Sequence, residues 1–164
     1  MKKILAYPLS VIFYLTFGLA LVIFHPIQWV CFNLFGYQAH KKSVDYLNFF
    51  LLRSLNLLGT TFTYNNQYTI TRDQPIIIVS NHQGQYDIPP IVWYMRRLHP
   101  KFISKKELGK GIPSISYNLR HGGSALIDRK DKGQSIRAIK KITETVNKEH
   151  HSVVIFPEGT RSKD

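Results

Sequence analysis

From Ile4 to Ala39 the chain carries no Asp, Glu, Lys or Arg. No other feature limits the available folds as much, because an uncharged apolar run of this length must be buried in protein or placed in lipid. The 21 residues from Ile4 to Phe24 would extend about 31 Å as a helix, roughly the thickness of one hydrocarbon core. Pro26 interrupts the run. The second uncharged stretch, Ile27 to Ala39, is too short to span alone, and its Trp29 and Tyr37 are aromatics of the kind that favour a membrane interface. Lys2 and Lys3 stand before the run, Lys41 and Lys42 after it. Basic flanks prefer the cytoplasmic side, so two helices that dip in and return satisfy both flanks better than one clean span. A cleaved signal peptide would share the basic start, but here apolar sequence continues past any plausible cleavage site. Residues 1–40 are therefore expected to embed the chain in a membrane, with the rest, 41–164, on the cytoplasmic side.

The remainder reads as one α/β domain of alternating strands and helices. Ser43 is placed to cap a helix through Leu58, with Gly59 as its stop. Thr60–Tyr64 and Tyr68–Thr71 resemble two strands of a hairpin around Asn65-Asn66. Ile76 to Val79 is a β-branched run expected to be a strand buried on both faces, and Ile88-Pro89-Pro90 opens a helix reaching about Leu98. Short strands are expected at Phe102–Ser104, Ser124–Asp128 and Val153–Phe156. Ile136, Ile139, Ile142 and Val146 give a helix from about Gln134 to Lys148 one apolar face.

Charge is as uneven as hydropathy. Residues 96–164 hold 16 Lys/Arg against 7 Asp/Glu, nine of the chain's formal excess of twelve positive charges. A basic half beside an apolar half points to an anionic partner: a phosphate-bearing substrate, an acidic lipid surface or nucleic acid. No helix-turn-helix, zinc-finger or RNP pattern supports nucleic acid. Cys31 is alone, which excludes a disulfide framework and a cysteine metal cluster and fits a reducing compartment. Gly109-Lys110 lacks the rest of a phosphate-binding loop, and Gly122-Gly123-Ser124-Ala125-Leu126 lacks the final glycine of a nucleophile elbow.

The chemistry-bearing residues stand where strands end. Ile76–Val79 runs into Ser80-Asn81-His82-Gln83-Gly84-Gln85-Tyr86-Asp87, in which Gly84 allows a turn and Asp87 precedes the next helix. In open α/β sheets the ligand crevice lies outside the carboxyl ends of the strands, so His82 and Asp87 are candidate catalytic residues. Alone, a His and an Asp five positions apart is a weak signal, and Asp87 could simply cap its helix. A second strand end supplies Phe156-Pro157-Glu158-Gly159-Thr160-Arg161, a tight loop whose arginine offers a fork of donors suited to phosphate.

These two blocks resemble the signature blocks of the glycerolipid acyltransferases, in particular those acting on 1-acylglycerol 3-phosphate (lysophosphatidic acid). Lys105-Lys106-Glu107-Leu108 and Gly123-Ser124-Ala125-Leu126-Ile127-Asp128-Arg129 resemble the family's intermediate block, in the expected order. The likeness covers roughly residues 70–162, and the N-terminal apolar hairpin resembles the family's membrane-embedding helices. It implies a glycerolipid-acyltransferase-like αβ domain behind a membrane-embedded helical hairpin. The implied reaction moves an acyl group from a thioester of coenzyme A or acyl carrier protein to the free hydroxyl of lysophosphatidic acid, giving phosphatidic acid. No cofactor or metal is expected. An imidazole titrates near neutral pH, so His82 would take the hydroxyl proton as general base, with Asp87 fixing its tautomer. Arg129 and Arg161 are the candidates for the acceptor's phosphate, assisted by Lys105. Gly159 and Thr160 would complete that site, and Glu158 would orient the loop or the acceptor. Glycerol 3-phosphate or another lysolipid is the alternative acceptor, and a non-catalytic basic membrane protein, or an inactive fragment, the alternative class. The family normally continues past the Glu-Gly-Thr-Arg block to a further strand, so the chain is expected to be truncated at its C-terminal end.

Overall fold

The computed structural model describes residues 2–67, 70 and 74–159, the side chains of residues 2–5 excepted. The uncharged N-terminal run is helical throughout and continues well beyond it. α1 (Lys2–Asn56) contains Pro8 and Pro26 and departs from helical geometry only at Gly36 (φ 79°, ψ −174°), where two helical limbs meet. A straight helix would hold Phe24 and Phe50 about 39 Å apart, yet their ring centroids are 5.7 Å apart. The limbs therefore fold back on each other as a hairpin. The reversal falls at Gly36 and not at Pro26, because reversal needs a positive φ that glycine adopts at no steric cost, whereas proline only kinks a helix. The helix expected to start at Ser43 is part of the second limb. Ser43 is inside it and donates to the His40 carbonyl (2.6 Å) rather than capping an end. The limb stops at Asn56 and the chain turns through Gly59 (φ 79°).

Residues 60–67 form no strand, so the expected hairpin is absent there; Tyr68, Thr69 and Thr71 lie outside the described residues. The segment is held instead by Asn56, whose side-chain amide donates to the Thr60 carbonyl (2.7 Å), and by Tyr64 stacked on Tyr94. Beyond it come β1 (Ile77–Val79), α2 (Ile88–Tyr94), β2 (Pro100–Lys105), α3 (Ile115–His121), β3 (Ala125–Ile127), α4 (Lys132–Glu149) and β4 (Ser152–Ile155), with single 3₁₀ turns at Gln85–Asp87, Arg96–Leu98 and Lys106–Gly109. α3 has no counterpart in the sequence reading. Among the described residues four strands form one sheet, ordered β1-β4-β2-β3, and every pairing is parallel. α4 carries the chain from the β3 edge back to the slot between β1 and β2.

Adjacent residues of β4 serve opposite faces of the sheet, as the period of a strand requires. Val154, fully buried, joins Val44 of α1, Val92 of α2 and Phe102. Val153 joins Ala125, Ile142 and Val146 on the α4 side. The inward stripe of α4 is Ala138, Ile142 and Val146, spaced by four; Ile136 and Ile139, expected on the same face, are exposed. β1 also departs from expectation. Among the described residues it is an edge strand, and Ile77 and Val79 are 67% and 66% exposed, leaving Ile78 packed against the core.

The amino ends of β2 and β4 hold a buried polar cluster. Lys101, 5% exposed, donates to the Gly122 carbonyl (2.7 Å) and to the Tyr37 hydroxyl. His99 and His151 lie against each other and against Tyr37. Burial, and then the charge of Lys41, push the Lys101 ammonium down to about 7, and burial holds His151 down to about 4. In each case the unfolded chain binds protons more readily, so stability rises with pH. The Lys101 contribution is fully present only above the ordinary lysine range and is lost as pH falls through about 7. Thermal unfolding of the detergent-solubilised protein should therefore shift to higher temperature between about pH 7 and 9. Lys101→Met should flatten that rise; an unchanged slope in the variant would show that Lys101 is not its source.

Candidate active site

Because all four strands run the same way, their carboxyl ends share one edge of the sheet, and the loops leaving them converge there. His82 follows β1, Lys105 is the last residue of β2, Arg129 follows β3, and Phe156 to Gly159 follow β4. Residues far apart in sequence thus reach a single edge by topology alone.

The loop after β1 is built around the Asp87 carboxylate. Its Oδ2 lies 3.0 Å from His82 Nδ1 and accepts from the backbone amides of Gln83 (2.8 Å) and Gly84 (2.9 Å). Asp87 occupies the N-cap position of α2, but its side chain makes no cap hydrogen bond to that helix and turns back to close its own loop. Gly84 is extended (φ −165°), so it is used for its amide and not for a turn that only glycine could make. An ionised carboxylate only accepts, so His82 Nδ1 donates and Nε2 keeps the lone pair. The side chains of His82 and Asp87 remain 20% and 26% exposed.

One further contact fixes the imidazole's surroundings. The His82 ring stacks on Phe156 with centroids 4.3 Å apart and planes 24° apart. Phe156 is placed there by register: β1 pairs with β4 through Val79 and Ile155, and the Ser80 amide donates to the Ile155 carbonyl (3.2 Å). The two loops therefore leave the sheet side by side. Sequence reasoning missed the stack, although Phe156 stands directly before Pro157-Glu158-Gly159. A cavity of ≈ 350 Å³ opens beside Asp87, lined by Ser80, Asn81, Gln83, Pro90 and Ile91. A smaller one, ≈ 30 Å³, lies around Lys101 and His99 at the opposite end of the sheet and is not part of this site.

Arg129 is exposed at the end of β3 and donates through Nη2 to the Gly159 carbonyl. Gly159 has a positive φ of 64°, and its amide closes a turn onto the Phe156 carbonyl (2.9 Å). The arginine thus ties the Phe156–Gly159 loop to the neighbouring strand end and keeps its remaining N–H groups for other acceptors. Glu158 and Lys105 are exposed. Lys106, rather than Lys105, faces Asp128 (3.6 Å). Thr160 and Arg161 lie outside the described residues. Among the described residues no group of three or more His, Cys, Asp or Glu could hold a metal ion.

The strand-end His–Asp pair, the parallel sheet and the basic loop edge define a class. The chain belongs to the acyltransferase family, whose sequence model matches residues 61–164. It is 41% identical over 90 residues to a 1-acyl-sn-glycerol-3-phosphate acyltransferase of Helicobacter pylori, an alignment covering 53% of this chain and 35% of that one. It is 26% identical over 121 residues to the alpha form of the same enzyme from Mus musculus, covering 74% of this chain and 42% of that one. The structure superposes on the crystal structure of the 1-acyl-sn-glycerophosphate (LPA) acyltransferase PlsC from Thermotoga maritima with a TM-score of 0.77 and 25% identity. That match covers all of this chain, hairpin included, and 65% of the Thermotoga chain. The chain thus spans well under half the length of the two curated relatives named here.

Proposed function

We propose that the protein transfers a fatty acyl group from an acyl thioester to the free hydroxyl of lysophosphatidic acid, producing phosphatidic acid at a membrane. The single observation that carries the reading is the His82 Nδ1–Asp87 Oδ2 contact at a strand end, with Nε2 left as a base. The names of the relatives support the acceptor. A hydroxyl is a poor nucleophile at neutral pH, and His82 removes its proton as the oxygen attacks the thioester carbonyl. A C–O bond forms, the C–S bond breaks, and the imidazolium returns its proton to the departing thiolate. Asp87 stabilises the imidazolium while that charge exists. No protein nucleophile is needed, since the thioester is already activated. Coenzyme A or acyl carrier protein supplies the acyl group.

Arg129 is assigned to the acceptor's phosphate through the N–H groups not given to Gly159, with Lys105 beside it and Arg161 as the second arginine of the block. Glu158, Gly159 and Thr160 shape that loop. The hairpin is assigned to the bilayer. In its first limb Tyr7, Leu15, Leu34 and Phe35 are 78%, 67%, 69% and 70% exposed. Apolar surface of that extent is stable in lipid and costly in water. The catalytic domain is assigned to the cytoplasmic side on the strength of Lys41 and Lys42, which follow the Gly36 turn, Lys41 donating to the Arg96 carbonyl of that domain (2.9 Å).

His82→Ala should lower acyl transfer about 10²–10⁴-fold while leaving membrane association unchanged, as read by thiol release from acyl-CoA with and without lysophosphatidic acid. Full turnover in the variant would remove His82 from the mechanism; turnover with glycerol 3-phosphate instead would move the acceptor assignment. Arg129→Ala should raise the KM for lysophosphatidic acid with little change in the KM for acyl-CoA, because the lost contact serves ground and transition states alike. Equal effects on both substrates would place Arg129 elsewhere. Carbonate should not extract the protein from membranes, and protease added from the cytoplasmic side should reach the catalytic domain. Protection of that domain would reject the topology.

A further inference from the structure

The loop that holds the His82–Asp87 pair is closed by the Asp87 carboxylate but has little regular structure of its own. Its regular part is a three-residue 3₁₀ turn, Gln85–Asp87, closed by an Asp87 amide to Gly84 carbonyl bond of 3.3 Å. Turns of this kind have poor hydrogen-bond geometry and depend on outside contacts to persist. The middle residue, Tyr86, provides such a contact. Its ring meets Phe13 and Phe17 of the first limb of α1 edge-on, with centroids 5.7 and 5.9 Å apart and planes at 74° and 85°. This is the favoured edge-to-face geometry of aromatic pairs.

The contact involves the most buried ring of that limb among the described residues. Among side chains 6–35 only Phe13 and Gln28 are buried. Phe13 is 2% exposed, while Ile12, Tyr14 and Leu15 around it are 47%, 66% and 67% exposed. The one buried ring between residues 6 and 35 is therefore turned onto the active-site loop. Tyr86 stands directly before the aspartate and two residues after Gly84, one of the two amides that hold the carboxylate.

We propose that Tyr86 is a positioning residue, clasped by Phe13 and Phe17, and that the membrane hairpin through this clasp holds the turn that keeps Asp87 on His82. This rests on the reading of His82 as the general base. The hairpin then has a second role besides anchoring: it supplies part of the scaffold of the catalytic loop, and a domain without it carries the right residues on a loose turn.

The test uses the full chain in phospholipid nanodiscs, with Phe13→Ala, Tyr86→Ala, the double variant, Tyr86→Phe and Phe13→Leu. Hydrogen–deuterium exchange reads the turn directly. Phe13→Ala and Tyr86→Ala should each speed exchange at the Gln83 and Gly84 amides and leave α4 unchanged. In acyl transfer each should lower kcat about three- to tenfold, the worth of an aromatic pair, with either KM moving less than about twofold. The double variant should lose no more than Tyr86→Ala alone, since both remove one contact. Tyr86→Phe should match the parent, because no hydrogen bond of the Tyr86 hydroxyl occurs among the described residues. Phe13→Leu keeps apolar volume without the ring and should show the same exchange change should Phe13→Ala fold poorly. Unchanged exchange at Gln83 and Gly84, or losses that multiply in the double variant, would overturn the proposal. A parent that transfers no acyl group, or full activity in His82→Ala, would instead sink the general-base reading, while the exchange data still decide whether the clasp holds the turn.

Discussion

Oδ2 of Asp87 is the atom on which the site depends. It meets the His82 ring and the amides of Gln83 and Gly84 within 3.0 Å, so one carboxylate oxygen closes the loop and orients the imidazole together. Hydrogen bonds to an ionised acceptor are worth about 1.5–3 kcal/mol each when formed, and a loop between strand and helix has no ladder to fall back on. Structure and chemistry therefore cannot be separated at this residue. The geometry that makes Asp87 a good loop lock, an acceptor facing back toward residues three to five positions earlier, also fixes which nitrogen of His82 is free.

The rest of the site is assembled by the sheet. β4 is the hub: it pairs with both β1 and β2, and its two buried valines seed the cores on the two faces. Its continuation places Phe156 against His82 and delivers Gly159 to Arg129. A one-residue slip between β1 and β4 would exchange the faces of every side chain and move the stacked ring away from the imidazole. The register that fills the core also sets the distance across the site.

The sequence was most legible where local chemistry dictates structure. The β-branched runs before His82 and Glu158, the prolines opening α2 and the apolar period of α4 mark elements within a few residues of their observed bounds. The order of strands has no local code, which explains the misreading of β1: Ile76 to Val79 is as apolar as a central strand, yet it lies at the sheet edge with two side chains exposed. The hairpin apex was misplaced for a different reason. Pro26 is the louder signal, but a helix continues through proline, and only Gly36 adopts the positive φ at which the limbs separate. Within the site, the partnership of His82 and Asp87 follows from their spacing on one loop. The stack on Phe156 and the bond from Arg129 to Gly159 join separate strand ends and become visible only once the topology is known.

The proposed direct transfer between two bound substrates sets a demand that this arrangement is suited to meet. Under that proposal, with no acyl-enzyme intermediate, hydroxyl, thioester and base must be in place together, and misplacement of any of them costs rate. His82 is restrained on one side by Asp87, and its ring plane lies on Phe156, leaving Nε2 as its remaining polar atom. In the proposed function the acceptor's phosphate is the other fixed point. Arg129 is already tied to the Phe156–Gly159 loop, the same loop whose first ring carries the imidazole. A phosphate bound there would be separated from the base by a single hydrogen-bonded turn, so the span between anchor and reactive hydroxyl would be set by the protein. On this reading the Phe156–Gly159 loop sets the span between the phosphate and the base, with Pro157 between its two contacts and Gly159, at positive φ, forming one of them.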